Sequence, residues 1–359
     1  MLHDAGSWHF EFNGLVALVR ERLLRLAGLS RADGWETILL QGSGTFGVEA
    51  IFQSCVPSNG KVAVLTNGAY GERMVKMLAQ AGIEHSVVRV SEERPTEPQM
   101  LTSLLERDAA ITHVAGVHCE TTTGILNPIE SLGKVAKAHG KIFIVDTMSS
   151  FGGMVIDFAA CGIDFLVSSP NKCLEGVPGF CFVLCRRQTL EASEGCARSL
   201  SLDLLAQLRG FESNGQFRFT PPTHALLAFH QALEELEQEG GIAGRSARYR
   251  KNHQTLIGGM SRLGLHPYLA PEVQSYMITA FGYPAQGHFS FPVFYRMLSE
   301  RGFIIYPGKM TRVNTFRIGT IGRLFPADIE QLVQAIGSVL TEMQRNEMPS
   351  KDPEILVKT

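Results

Sequence analysis

The chain has 359 residues, 45% of them hydrophobic and 19% charged, with 36 glycines and a formal net charge of −2. That composition belongs to a globular chain long enough for two domains, and the near-neutral balance without a basic cluster argues against a nucleic-acid surface. No apolar run reaches membrane-spanning length, the first residues lack the basic and apolar stretches of a secretory signal, and the seven scattered cysteines and eleven histidines show neither a disulfide framework nor metal-ligand spacing. A soluble, cytoplasmic α/β protein without a metal site is the expectation.

Residues 14–29 repeat apolar positions at helical spacing, with arginines on the opposite face. A strand is predicted at Thr37–Gln41, followed by Gly42-Ser43-Gly44-Thr45-Phe46-Gly47 opening into a helix. Backbone amides and the positive end of a helix dipole converge at such a turn, and their natural guest is a phosphate. The letters also satisfy G-x-G-x-x-G, so a dinucleotide site is the rival reading; it wants an acid at the end of the next strand. That strand, Lys61–Thr66, runs into Asn67-Gly68, with no acid, so a single phosphate is the better guest. The plainer alternative is a turn that only lets helix and strand pack closely.

Tyr70 stands at a strand exit, where an aromatic either stacks on a flat ring or simply packs. Residues 83–90 read as a strand and about 99–108 as a helix. The strand Ile111–His118 runs into Cys119-Glu-Thr121-Thr122-Thr123-Gly124, whose hydroxyls either bind a ligand or satisfy the loop backbone. Another helix begins near Asn127.

Next come Lys141-Ile-Phe-Ile-Val-Asp146 and Phe165-Leu-Val-Ser-Ser-Pro-Asn-Lys172. Each starts as the short apolar run of a strand buried on both faces, and each ends in polar residues that include one carboxylate or one amine. Repeated strand–turn–helix units from 37 to about 190 argue for a largely parallel sheet with helices on both faces. Ligands of such sheets sit outside the carboxyl ends of the strands, so Asp146 and Lys172 are candidates for one shared site. An amine that bonds to an aldehyde, with a carboxylate facing a pyridinium nitrogen, is the pairing that pyridoxal phosphate requires. The bland alternatives are a helix-capping aspartate and a solvated lysine.

A loop at Glu175–Gly179 leads into one more strand, and a proline-stiffened turn, Phe217–His224, precedes a helix from Ala225 to about Glu239. The expected organisation is a large domain over 1–240, a smaller α+β domain over 241–345 and a charged tail, 346–359, that frays. In the smaller domain, Thr315-Phe-Arg317-Ile-Gly319 sets an arginine between apolar strand residues. A buried arginine needs an anion, supplied by a substrate or by an internal carboxylate.

Seven motifs then fall in one order: Gln41-Gly-Ser-Gly-Thr, Asn67-Gly-Ala-Tyr-Gly, Val117-His-Cys-Glu-Thr-Thr-Thr-Gly, Val145-Asp-Thr-Met-Ser-Ser-Phe-Gly-Gly, Asn171-Lys-Cys, Val177-Pro-Gly-Phe and Phe316-Arg-Ile-Gly. Together they resemble the class V (fold-type I) aminotransferases, from about residue 1 to 340. The resemblance implies a mostly parallel, seven-stranded-type sheet, pyridoxal 5'-phosphate as cofactor, and a homodimer. By the same resemblance, Lys172 bonds to the cofactor and later shuttles the substrate's proton as general base and acid. Asp146 keeps the pyridine nitrogen protonated, Ser43, Gly44 and Thr45 hold the phosphate, and Tyr70 stacks on the ring. Thr121 or Thr122 contacts the ring's hydroxyl side, Thr223 reaches the phosphate of the neighbouring subunit's cofactor, and Arg317 clamps the substrate's carboxylate.

Within the class, the motifs are most similar to those of the branch that moves the amino group of 2-aminoethylphosphonate to pyruvate. Alanine–glyoxylate or serine–pyruvate exchange shares every cofactor residue and is the alternative. An inactive, N-terminally shortened paralogue is a further one, because the family pattern begins with a Thr-Pro-Gly-Pro-like segment ahead of the part that matches Met1-Leu-His-Asp.

Overall fold

Strand-forming runs and helical repeats alternate along the chain, and the computed structural model, which describes residues 4–284, 289–310 and 313–345, gathers them into two units. Residues up to 121 with 125–247 form the first; residues 122–124 with those from 248 onward form the second. The tail 346–359, expected to fray, lies outside the described residues.

The first unit opens with α1 (Phe10–Leu26), which buries Phe12, Val16, Val19 and Leu23 at helical spacing. It starts earlier than the predicted residue 14 because His9 caps it, its ring accepting the Glu11 amide. It ends before Gly28, which takes φ +70°. Strand β1 (Trp35–Gln41) leads to α2 (Gly44–Cys55), β2 (Lys61–Thr66) to α3 (Ala69–Gln80), and β3 (Glu84–Arg89) to α4 (Pro98–Arg107). After β4 (Ile111–Val117) comes a small hairpin, β5 (Cys119–Glu120) and β6 (Ile125–Leu126), and then α5 (Ile129–Ala138). Strands β7 (Ile142–Asp146), β8 (Phe165–Ser168) and β9 (Phe180–Arg186) complete the sheet. They are followed by α6 (Arg187–Glu191), α7 (Leu204–Asn214) and α8 (Thr223–Gln238). The next helix, α9 (Gly241–Arg262), begins in the first unit and ends in the second.

The seven strands are ordered β1-β9-β8-β7-β4-β2-β3, and only β9 runs antiparallel to its neighbours. This is the mostly parallel seven-stranded sheet that the sequence led us to expect. Its central strands are buried on both faces, as Val62–Val64, Phe143–Val145 and Phe165–Val167 all are, which explains why they read as continuous apolar runs rather than alternating ones. Each large side chain removed from water there contributes about 1.5–3 kcal/mol.

The strand order is what positions a site. Val117 pairs with Asp146, and Asp146 pairs with Val167, so the exits of β4, β7 and β8 emerge side by side. Helix α2 follows the edge strand β1 yet seats on the middle of the sheet, because Gly47 has no side chain. A Cβ at that position would lie 2.7 Å from Val167 Cγ2 and 3.0 Å from Cys181 Sγ.

The second unit contains β10 (Ile278–Gly282), α10 (Phe291–Glu300), β11 (Tyr306–Pro307), β12 (Thr315–Gly319) and α11 (Pro326–Arg345). Its strands form an antiparallel sheet in the order β10-β12-β11, with a core built on Phe281, Phe294, Phe316, Ile318 and Ile336. Among the described residues no helix is long and apolar enough to cross a membrane.

Candidate active site

The first turn of α2 supplies an anion cradle. Gly42 turns the chain at φ +109°, and Ser43 takes the N-cap position without capping the helix through its hydroxyl. The amides of Gly44 and Thr45 have no acceptor among the described residues, as expected of the first turn of a helix. They add to the positive end of the helix dipole. Gly44 also lets this turn approach the loop after β7, since a Cβ there would lie 2.2 Å from Met148 Sδ.

Asp146 ends β7 with only 6% of its surface exposed. Its Oδ1 accepts the Met148 amide at 2.9 Å, and its other oxygen has no hydrogen-bond partner among the described residues. Burial pushes its carboxyl up to about 7, against the pull of the Met148 amide; Glu120 raises it further, while Arg73 and Lys172 lower it.

Lys172 lies in the loop after β8, half-buried, and no hydrogen bond or ion pair holds its amine among the described residues. The loop around it is tied down on its far side. Arg245, 1% exposed, donates from Nη1 to the Cys173 carbonyl at 2.8 Å. Its guanidinium also pairs with Glu239 at 2.7 Å and with Glu175 at 3.7 Å. Glu175 is the one described non-glycine residue with positive φ, +57°, so the ion pair sits at the sharp turn that follows the lysine.

A pocket of about 210 Å³ is lined by Ser43, Gly44, Thr45, Tyr70, Thr121, Asp146 and Lys172 together. Local patterning had placed these residues on five separate segments. Thr122 is fully buried at the tip of the β5–β6 hairpin and groups with the second unit. Thr223 begins α8, half-buried and outside the pocket wall; the preceding turn is held by Gln41, whose amide donates to the carbonyls of Phe219 and Thr220. Arg317 lies in β12, 4% exposed, with Nε donating to the Pro307 carbonyl at 3.0 Å.

Sequence reasoning missed two charged residues of this site. Glu120 is fully buried, and its Oε2 accepts the amides of Tyr70 at 3.1 Å and Gly71 at 3.2 Å. It thereby caps α3 and fixes where Tyr70 stands; a lone acid in a short hairpin carried no periodic signal. Arg73 lines the pocket and donates to the Thr45 hydroxyl at 3.2 Å. Its signal was available, because a residue three positions after Tyr70 on a helix shares its face.

This arrangement is the site of a fold-type I, pyridoxal phosphate-dependent transferase. Solved structures share the fold. Pyridoxamine–pyruvate aminotransferase from Mesorhizobium loti superposes with a TM-score of 0.87 at 23% identity, covering 96% of this chain and 88% of that one. Alanine–glyoxylate aminotransferase from Nostoc sp. gives 0.86 at 24%, covering 94% and 90%.

The family model of class-V aminotransferases matches residues 7–311, and the chain belongs to that family. It is 50% identical over 338 residues to a 2-aminoethylphosphonate–pyruvate transaminase of Vibrio vulnificus, covering 94% of this chain and 92% of the relative. A protein of the same name from Syntrophobacter fumaroxidans is 48% identical over 336 residues, covering 93% and 90%.

Pyridoxal phosphate is the cofactor, and the residues present fit it. Two unbonded amides at a helix N-terminus suit its phosphate, the unpaired oxygen of buried Asp146 suits its ring nitrogen, and the unpaired amine of Lys172 suits its aldehyde.

Proposed function

We propose that this chain moves the amino group of 2-aminoethylphosphonate to pyruvate, giving phosphonoacetaldehyde and L-alanine. The observation that carries the transaminase chemistry is the meeting of Lys172, Asp146 and the α2 N-terminus in one pocket. The choice of substrates is supported by relatives of that name, which run nearly the full length of the chain at about half identity.

When bound, pyridoxal phosphate supplies an aldehyde that takes the amine and a ring that stores the electrons freed as a proton leaves. Everything else falls to the chain's own residues. Lys172 takes the proton from the carbon bearing the amine and returns it elsewhere, its Nζ serving as base and then as acid. That role requires the amine in its neutral form. Asp146 accepts a hydrogen bond from the ring nitrogen, and a protonated nitrogen there in turn stabilises the carboxylate against the burial that disfavours it. Ser43, Gly44 and Thr45 hold the phosphate, and Tyr70 stacks on the ring. Thr121 or Thr122 meets the ring's hydroxyl. We assign Arg317 to the acidic group of the substrate, on the likeness of Phe316-Arg-Ile-Gly to the family pattern. In the first half of the exchange the aminophosphonate leaves as the aldehyde; in the second, pyruvate takes up the same amino group and leaves as alanine.

We further propose a homodimer in which Thr223 serves the neighbouring subunit's cofactor phosphate. Exposed Phe46 and Phe219, 50% and 42% accessible, support an apolar contact beside that turn. A cytoplasmic location is supported by seven free thiols, six of them buried.

The test is a near-visible absorbance spectrum of the purified holoenzyme before and after 2-aminoethylphosphonate is added without any keto acid. Conversion of the lysine-bound band to the amine form of the cofactor is the expected result. A band that ignores the aminophosphonate but responds to alanine would replace this reading with alanine–glyoxylate exchange.

A further inference from the structure

Arg73 has no place in the chemistry described so far, yet its surroundings are unusual for an arginine. It is half-buried on α3, its guanidinium carbon stands 4.9 Å from the centre of the Tyr70 ring, and it lines the same pocket as Asp146 and Lys172. The well-buried arginines of the first unit have carboxylate partners: Arg20 has Glu36 at 3.1 Å, Arg22 has Glu237 at 2.9 Å, and Arg245 has Glu239 at 2.7 Å. Arg73 forms no ion pair among the described residues. The acid beside it in sequence, Glu72, is held by Arg89 at 2.9 Å. A guanidinium half out of water and without a carboxylate in contact among the described residues calls for an anion.

Its one hydrogen bond among the described residues says where that anion sits. Nη1 reaches Thr45 Oγ1 at 3.2 Å. A guanidinium has only donors, so the Thr45 oxygen must accept. A hydroxyl has one proton, and once its oxygen accepts from Arg73 that proton is left to donate elsewhere. Thr45 stands in the first turn of α2, where the unbonded amides of Gly44 and Thr45 also point to an anion.

We propose that Arg73 is a positioning residue for the phosphate end of the cofactor, acting through Thr45. It orients the threonine hydroxyl as a donor to the phosphate. This rests on the cofactor reading of the pocket and is independent of which amino donor the enzyme uses. The guanidinium stacked on Tyr70 also ties the phosphate side of the pocket to the residue assigned to the ring face, since both side chains rise from one face of α3.

The experiment compares pyridoxal phosphate with pyridoxal, which lacks the phosphate, as ligands of the full-length protein freed of cofactor. Dissociation constants are measured spectroscopically for the unaltered chain, Arg73→Gln, Thr45→Ala and the double variant, with circular dichroism to verify folding. Arg73→Gln should weaken pyridoxal phosphate on the order of tenfold or more while changing pyridoxal less than about threefold. The double variant should bind hardly worse than Thr45→Ala, because the two residues act as one unit. Arg73→Lys, which keeps the charge and a donor, should recover most of the loss.

Equal weakening of both ligands would overturn the proposal, placing Arg73 in the scaffold. Losses that multiply in the double variant would overturn the route through Thr45. Unchanged cofactor binding with a raised KM for the amino donor would overturn it in favour of direct contact with substrate. An unaltered chain that binds pyridoxal as well as pyridoxal phosphate would instead bring down the cradle itself, and with it the cofactor reading.

Discussion

Arg245 Nη1 donates to the carbonyl of Cys173 at 2.8 Å, so the residue beside Lys172 is held by a guanidinium from the start of α9. The same side chain pairs with Glu175, three residues after the lysine, and with Glu239, just ahead of α9. A flexible amine that must deliver a proton to one atom needs a backbone that does not wander, and this buried ion pair supplies the anchor.

Arg245→Ala should therefore destabilise the protein by about 3–5 kcal/mol, because it leaves carboxylates without their counter-charge inside the protein. Arg245→Lys should lose less, since an ammonium still neutralises Glu239. Denaturant unfolding of the two variants checks this, and a loss below about 1 kcal/mol for Arg245→Ala would show that the pair is dispensable.

Lys172→Ala should abolish the near-visible band of lysine-bound cofactor and lower turnover by more than about a thousandfold, as both the covalent attachment and the proton shuttle are lost. Its fold should survive, because the amine holds no other residue in place. Absorbance and steady-state rates decide, and a variant with near-normal turnover would remove Lys172 from the mechanism.

Asp146 makes a pH prediction. Its buried carboxyl is raised to about 7, whereas an unfolded aspartate titrates near pH 4. Between those values the folded, cofactor-free protein holds more protons than the unfolded chain, so stability falls as pH rises. The contribution is complete below about pH 4 and gone above about pH 7, a span on the order of 4 kcal/mol. Asp146→Asn should remove that part of the slope. Urea unfolding of both proteins from pH 4.5 to 8 tests it; parallel curves would mean the carboxyl titrates normally.

Two glycines separate site from scaffold. A Cβ on Gly133 would lie 1.7 Å from the Cys161 carbonyl oxygen, which is backbone and cannot step aside, so Gly133→Ala should destabilise by about 1–3 kcal/mol or more. A Cβ on Gly44 would meet the end of the Met148 side chain, which can swing, but only by rearranging the pocket wall. Gly44→Ala should thus weaken cofactor binding far more than it lowers the melting temperature. Thermal melts with and without pyridoxal phosphate tell the two apart.

Much of this was legible beforehand. The runs Lys141–Asp146 and Phe165–Lys172 announced buried strands with polar residues at their ends, and the turn at Gly42–Gly47 announced a glycine-rich helix N-terminus. These are local properties: side-chain period, β-branching and turn residues act over a few positions, so they survive in the linear string. Glu120 and Arg245 were not legible, because each acts on a partner from another part of the chain; the helix spacing placed Arg73 beside Tyr70 but not against Thr45.

By itself the sequence determined the α/β class, the strand exits and the carboxylate and amine that line one pocket. Tertiary structure alone decided that β7 lies between β4 and β8, that α2 crosses to the middle of the sheet over Gly47, and that one buried guanidinium holds the lysine loop while a half-buried one reaches Thr45. The reason is physical. Strand order and the pairing of distant charges are set by which apolar faces and which ions can be buried together, a sum over the whole chain that no short window contains.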